Sequence, residues 1–261
     1  MNEKEAIISV KDLRMTYDGE KDVLKGINFK VYSGEIIGYI GPNGAGKSTT
    51  VRILLGIINK FQGEVRVFGH DVSADEVKYK KRVGYLPESG TIYENLYAKD
   101  YFAFLSGMYG MEESEIDRKA RNLMAIFGIE DVYENPISSY SKGMKQKVLI
   151  IATLLHNPDL IFLDEPLRGL DVYSVQILKE ILSKLVKEGK TIFYSSHIIE
   201  VVEKMSSRIL LLNNGQLMAD KNVEELKKES KEGTLEGVFN QITGYRDHKK
   251  LANEFLATIR G

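Results

Sequence analysis

Apolar residues follow two rhythms along the chain. Runs at 7–10, 23–31 and 35–40 predict three strands near the start, the third strongly apolar and stopping at Gly41, where a glycine-rich loop begins. Beyond Lys47 the spacing of Val51, Ile53, Leu54, Leu55, Ile57 and Ile58 predicts a helix with a broad apolar face, and the alternation of Val65 and Val67 predicts a strand over 63–68. From about 91 to 157 helix formers dominate and strand signals are few, so a helical insertion is expected there, with 112–127 a charged, helix-spaced stretch. From Leu160 the alternation of strand and helix resumes: a buried strand at 160–163, a helix at 172–188, a strand at 191–195, a helix at 198–205, and a strand at 208–212 closing on Asn213-Asn214-Gly215. Strands separated by helices imply a largely parallel sheet covered on both faces. There is no internal repeat and no low-complexity linker. Over 247–260 a helical period places Leu251, Ala252, Phe255, Leu256 and Ile259 on one face, which suits either packing on the chain's own domain or a subunit contact.

Composition narrows the classes. A chain of 261 residues supports one large domain or two lobes. Its 43% hydrophobic and 28% charged residues are ordinary for a globular protein. A formal net charge of −1 without a long basic stretch gives no general nucleic-acid footprint, so no nucleic-acid partner is expected. The absence of cysteine excludes disulfides, thiolate metal sites and a cysteine nucleophile, and fits a reducing compartment. The polar start Met-Asn-Glu-Lys-Glu has no apolar core of the signal-peptide kind, so none is expected. The longest apolar run, 148–155, ends at His156-Asn157-Pro158-Asp159. It is far shorter than the roughly 18 residues that cross a bilayer. Any membrane channel this protein serves is therefore another chain.

Two motifs carry chemistry. Gly41-Pro42-Asn43-Gly44-Ala45-Gly46-Lys47-Ser48 matches G-x-x-x-x-G-K-[ST], with an apolar strand before it and an amphipathic helix after it. The glycines let backbone N–H groups wrap phosphate oxygens, and the following helix turns its positive end to the same anion. Lys47 is placed for the β- and γ-phosphates, and the Ser48 hydroxyl for Mg²⁺. The second motif is the run Leu160-Ile161-Phe162-Leu163-Asp164-Glu165, an apolar strand ending in two carboxylates. Ligands of parallel sheets bind at the carboxyl ends of strands, which sets Asp164 near the metal and Glu165 where it can polarise an attacking water.

With these motifs the chain resembles the ATP-binding subunits of ABC transporters from about residue 7 to 244. Tyr17 stands at the family's adenine-stacking aromatic. Tyr140-Ser141-Lys142-Gly143-Met144-Lys145-Gln146 stands at the family signature, Gly169-Leu170-Asp171 at the loop that crosses between subunits, and His197 at the switch histidine. The resemblance implies an α/β P-loop NTPase with a RecA-like core, an N-terminal antiparallel β subdomain and an inserted α-helical subdomain at about 91–157. It implies an ATPase domain over 1–244 and a C-terminal helical extension over 245–261.

It implies ATP and Mg²⁺ as ligands. ATP would be held by Tyr17, the loop from Gly41 through Thr49, and, across a head-to-tail dimer, Ser141, Gly143 and Asp171 of a second ATP-binding subunit. Glu165, His197 and Lys47 would be catalytic, and Ser48, Glu88 and Asp164 would hold the metal. Two departures stand out. Lys142 and Met144 replace residues of the usual signature, and Glu88 in Leu86-Pro87-Glu88 replaces a glutamine, adding a carboxylate where the family has an amide.

The segment 233–244, the Leu-Pro-Glu triplet and Tyr-Ser-Lys-Gly-Met are similar to the exporter-like ABC-2 branch. This implies membrane-spanning partner subunits and a cytoplasmic location on the inner face of the cell membrane. The alternative is a soluble ABC ATPase acting on nucleic acid or ribosomes. Those proteins, however, place a long coiled coil between loop and signature, or carry two cassettes in one chain.

Overall fold

The computed structural model describes residues 6–74, 77–230, 233–244 and 248–260. The stretch 1–5, on which the signal-peptide expectation rests, and the start of the C-terminal extension at 245–247 lie outside the described residues.

Two sheets organise the chain. The first is antiparallel, in the order β2-β1-β4-β5, from β1 (Ala6–Thr16), β2 (Asp22–Tyr32), β4 (Gln62–Val67) and β5 (His70–Asp71). The second runs β10-β9-β3-β8-β7-β6, from β3 (Ile36–Ile40), β6 (Val83–Leu86), β7 (Leu160–Asp164), β8 (Thr191–Ser195), β9 (Arg208–Asn213) and β10 (Gln216–Asn222). All its pairings are parallel except that of β10 with β9.

The central strands β3 and β8 are buried at every position, as the continuous apolar runs require of strands covered on both faces. Their side chains alternate between two cores. Ile37, Tyr39, Leu160, Phe162, Phe193, Leu210 and Leu212 pack with the antiparallel sheet and with α1 (Lys47–Leu54). Ile36, Ile40, Ile161, Leu163, Ile192, Tyr194, Ile209 and Leu211 share a core with the helices on the other face. In the first core Phe193 meets Tyr39 edge-on, with ring centres 5.0 Å apart, and lies 5.4 Å from Phe162. Such pairs contribute about 0.5–1.5 kcal/mol beyond their buried area.

Between β4 and β6 lies α2 (Val77–Lys80). Between β6 and β7 come α3 (Ala98–Gly107), α4 (Glu113–Ile126) and α5 (Lys142–Leu154), where the helical insertion was expected. They close around Phe102, Ile116, Met124, Tyr133 and Val148. The helix α6 (Val172–Lys187) links β7 to β8, and α7 (Ile199–Met205) links β8 to β9. After β10 come α8 (Val223–Glu229), α9 (Leu235–Thr243) and α10 (His248–Arg260).

Some boundaries differ from the pattern of the sequence. The helix after the glycine-rich loop ends at Leu54 rather than continuing through Ile58, because Gly56 takes φ +63°, a left-handed turn that stops a helix, and Ile57 is left exposed. In α10 the stripe Leu251, Phe255, Leu256 and Ile259 is exposed, so it does not pack on the chain's own domain.

Candidate nucleotide site

The loop between β3 and α1 is shaped for an anion. Gly46, at φ +108°, caps α1 without a side chain, and no acidic residue occupies the first turn. An added Cβ at Gly46 would stand 2.7 Å from Leu24 and 3.1 Å from the Val23 carbonyl, so only glycine lets the loop lie this close to β2. The Lys47 ammonium folds back on the loop, donating to the Gly41 carbonyl at 2.6 Å and to that of Pro42 at 3.2 Å. Burial pulls its pKa down, against the carboxylates of Asp164, Glu165 and Glu88, which hold it up. These features fit the phosphates of a nucleotide: a lysine held by two carbonyls that stronger acceptors can replace, at the positive end of a helix.

Opposite stands the end of β7. The Asp164 carboxylate accepts from Ser195 Oγ at 2.8 Å. Burial raises its pKa, Ser195 opposes the rise, and Glu88 and Glu165 add to it. Glu165 is held from three directions. Its Oε2 accepts from Ser196 Oγ at 2.9 Å, and its Oε1 accepts from the His197 N–H at 2.5 Å and lies 2.7 Å from His197 Nδ1. Its backbone is left-handed at φ +50°, and its N–H donates to the Ser195 carbonyl at 2.9 Å. A strained non-glycine residue of this kind persists only where its surroundings fix it, here by four contacts to one short segment of β8 and the residues after it. Asp164, Ser48 and Glu88 offer the oxygen donors that suit Mg²⁺.

Together these groups line a cleft of about 960 Å³, with Tyr17 at its edge. Tyr17 is 62% exposed, and its hydroxyl lies 3.1 Å from Thr49 Oγ1 on the first turn of α1. Of the residues singled out from the sequence, Gly41, Asn43, Gly44, Ala45, Gly46, Lys47, Ser48, Thr49, Glu88, Asp164, Glu165 and His197 line the cleft. Pro42 does not line it, although its carbonyl receives Lys47.

Ser141, Gly143 and Asp171 stand outside the cleft. Ser141 caps α5, accepting from the Met144 N–H at 3.2 Å. A Cβ on Gly143 would lie 2.8 Å from the Gly169 carbonyl, so the start of α5 sits directly on the loop leading to Asp171. Asp171 caps α6 through the Ser174 N–H at 2.8 Å and pairs with Lys147 at 2.9 Å. The Lys147 contact and the Ser174 bonds hold its carboxyl far below the usual range. Sequence reasoning missed Val23, Leu167, Arg168, Ser195 and Ile198 as cleft residues. Of these, only Ser195 carried a signal, as the polar end of an apolar strand facing Asp164.

Fold and site together define a P-loop nucleotide-binding cassette with an α-helical insertion. Residues 24–168 match the family model described as ABC transporter, and the chain belongs to that family. It is 39% identical over 210 residues to an uncharacterized ABC transporter ATP-binding protein of Methanocaldococcus jannaschii, covering 80% of this chain and 76% of the relative. Among solved structures, that of an ATP-binding subunit of an ABC transporter superimposes with a TM-score of 0.83 at 29% identity, covering 90% of this chain and 98% of the other. A dimeric ATP-binding cassette in a post-hydrolysis state, bound to ADP and Pi, superimposes with a TM-score of 0.75 at 25% identity, covering 83% and 98%.

Proposed function

We propose that this chain is the ATP-binding and ATP-hydrolysing subunit of an exporter-type ABC transporter, working as a pair on the inner face of the membrane and driving separate membrane-spanning subunits. The observation that carries this reading is the cleft in which Lys47 and the N-terminus of α1 face Asp164 and the Glu165–His197 pair. No helix among the described residues is long and apolar enough to cross a membrane, so translocation is assigned to partner chains.

ATP enters with its adenine on the Tyr17 ring and its phosphates on the backbone of the loop. Lys47 exchanges the Gly41 and Pro42 carbonyls for phosphate oxygens. Ser48, Asp164 and Glu88 are the residues that would hold Mg²⁺, which neutralises charge on the β- and γ-phosphate oxygens. Glu165 takes the proton of the attacking water. Ser196 and His197 fix the direction of its carboxylate: Oε1 is taken up by the His197 N–H and ring, while Oε2, with the Ser196 hydroxyl as its one donor, keeps a lone pair for that proton. The His197 ring, held to Glu165 through Nδ1 and with a side chain 75% exposed, offers its Nε2 to the γ-phosphate. Ser141 and Gly143, outside the chain's own cleft, serve the ATP of the second subunit, and Asp171 both caps α6 and meets that subunit.

Titration calorimetry of the chain with ATP, with and without Mg²⁺, together with phosphate release, tests the assignment. Nucleotide binding, and turnover that requires the metal, are expected. A chain that binds no nucleotide overturns the reading.

The adenine contact gives a second test. Tyr17→Ala raises KM for ATP about fivefold and leaves kcat nearly unchanged, because stacking of about 1 kcal/mol is made equally in ground and transition states. Tyr17→Phe, which keeps the ring and loses the bond to Thr49, stays near wild type. An unchanged KM in the alanine variant shows that another group stacks the base.

A further inference from the structure

Glu88 brings a third carboxylate into a cleft that also holds Asp164 and Glu165, and whose substrate on the reading above is a polyanion. Its counter-charge comes from a residue distant in sequence: Arg168 Nη1 donates to Glu88 Oε1 at 3.1 Å. Both side chains are about half exposed and both line the cleft. Glu88 lies just beyond β6, on the loop that leads into the helical lobe, and Arg168 lies beyond β7.

The Arg168 N–H donates to the Glu165 carbonyl at 3.1 Å, so its backbone is fixed by the same turn that carries Glu165. The carbonyl of the next residue, Gly169, lies against the start of α5. The ion pair therefore ties the loop leading into the helical lobe to the loop leading to Asp171, through two side chains that both line the nucleotide cleft. The other cation of the cleft, Lys47, is occupied by loop carbonyls.

We propose that Arg168 is the positioning residue for Glu88: in the nucleotide-free protein it neutralises the additional carboxylate and holds it back from divalent cations until nucleotide phosphates compete for the guanidinium. A guanidinium pairs with carboxylate or phosphate through the same fork of donors, so the exchange needs no new chemistry. An exposed ion pair adds little to folding stability, and the consequence lies in ligand affinity. The proposal rests on the reading of the cleft as an Mg·ATP site.

The test uses the full chain as wild type, Arg168→Gln, Arg168→Lys, Glu88→Gln and the Glu88→Gln/Arg168→Gln double variant. Mn²⁺ binding without nucleotide is followed by electron paramagnetic resonance of the free ion, and ATP binding in EDTA by calorimetry. Arg168→Gln, with its carboxylate released, binds Mn²⁺ about three- to fivefold more tightly than wild type. Arg168→Lys, which keeps the charge, stays near wild type. In the Glu88→Gln background the same Arg168→Gln change no longer alters Mn²⁺ affinity. ATP affinity in EDTA falls in Arg168→Gln, rises in Glu88→Gln and returns close to wild type in the double variant. Equal effects of Arg168→Gln on Mn²⁺ with and without Glu88, or no effect at all, overturn the pairing while leaving the nucleotide site intact. A wild-type chain that binds no ATP overturns both.

Discussion

Replacing Glu165 with Gln leaves a folded protein that still binds ATP and hydrolyses it at least about a hundredfold more slowly, the loss expected when a positioned general base is removed. The substitution is close to isosteric. A glutamine at this position keeps an oxygen for the His197 N–H, and its amide can donate to Ser196 Oγ, so the contacts that fix Glu165 are largely preserved. What is lost is the capacity to take a proton from water. Product formation is then blocked while the nucleotide contacts of Tyr17, Lys47 and Ser48 remain. On the proposed reading, in which two chains close on ATP, the closed pair accumulates in this variant. Phosphate release measures the first effect and size-exclusion chromatography with ATP the second. Wild-type turnover in the variant would remove Glu165 from the mechanism.

The parts of this site that were legible in the sequence are those written contiguously. The phosphate loop is one run of residues from Gly41 to Ser48, and its flanking strand and helix follow from the hydrophobic period alone. Strands β3, β7 and β8 are central and buried, so they appear as apolar runs. The edge strand β10 was not legible, since Gln216–Asn222 has no fully buried position and reads as a polar stretch after a turn. Arg168 was not legible for a different reason. Its partner Glu88 lies 80 positions away, and only the parallel pairing of β6 with β7 brings the loops beyond them together. Ser141 and Gly143 were found by motif, yet the single chain does not carry them to its own cleft. Their reading depends on a second subunit, which hydrophobic periodicity cannot supply.

Tyr93→Glu is expected to fold, to keep basal ATPase activity and to lose both assembly with the membrane partner and transport. The aromatic-rich segment after Glu88 divides into two groups. Tyr101 and Phe102 are buried in the helical lobe, with Phe102 stacked near Tyr133 at 6.5 Å, and a charge at either would unfold the lobe. Tyr93 and Tyr97 are 55% and 46% exposed. Tyr93 packs edge-on to the exposed Phe104 at 5.9 Å, and the two form one exposed aromatic surface beside the buried Tyr101, whose ring centre lies 6.3 Å from that of Tyr93. On either side of Glu88, Pro87, Gly90 and Thr91 join Tyr101, Tyr109 and His156 in lining a groove of about 210 Å³ between the lobe and the sheet. There the His156 ring stacks on Tyr109 at 3.7 Å and bonds to the Val83 carbonyl at 3.1 Å. Burial lowers the pKa of His156, so the groove presents a neutral ring rather than a cation near neutral pH. Aromatic anchors beside a recess are the places where binding energy concentrates. A charge at Tyr93 must be desolvated when a partner helix seats there, whereas in the isolated chain it stays in water. That asymmetry separates docking from folding. Circular dichroism and phosphate release on the isolated chain should match wild type, while co-purification with the membrane subunits is lost. Tyr97→Glu is the companion variant, on the residue that precedes α3. If both variants unfold, or if both support transport, the seat of the membrane subunit lies elsewhere on the surface.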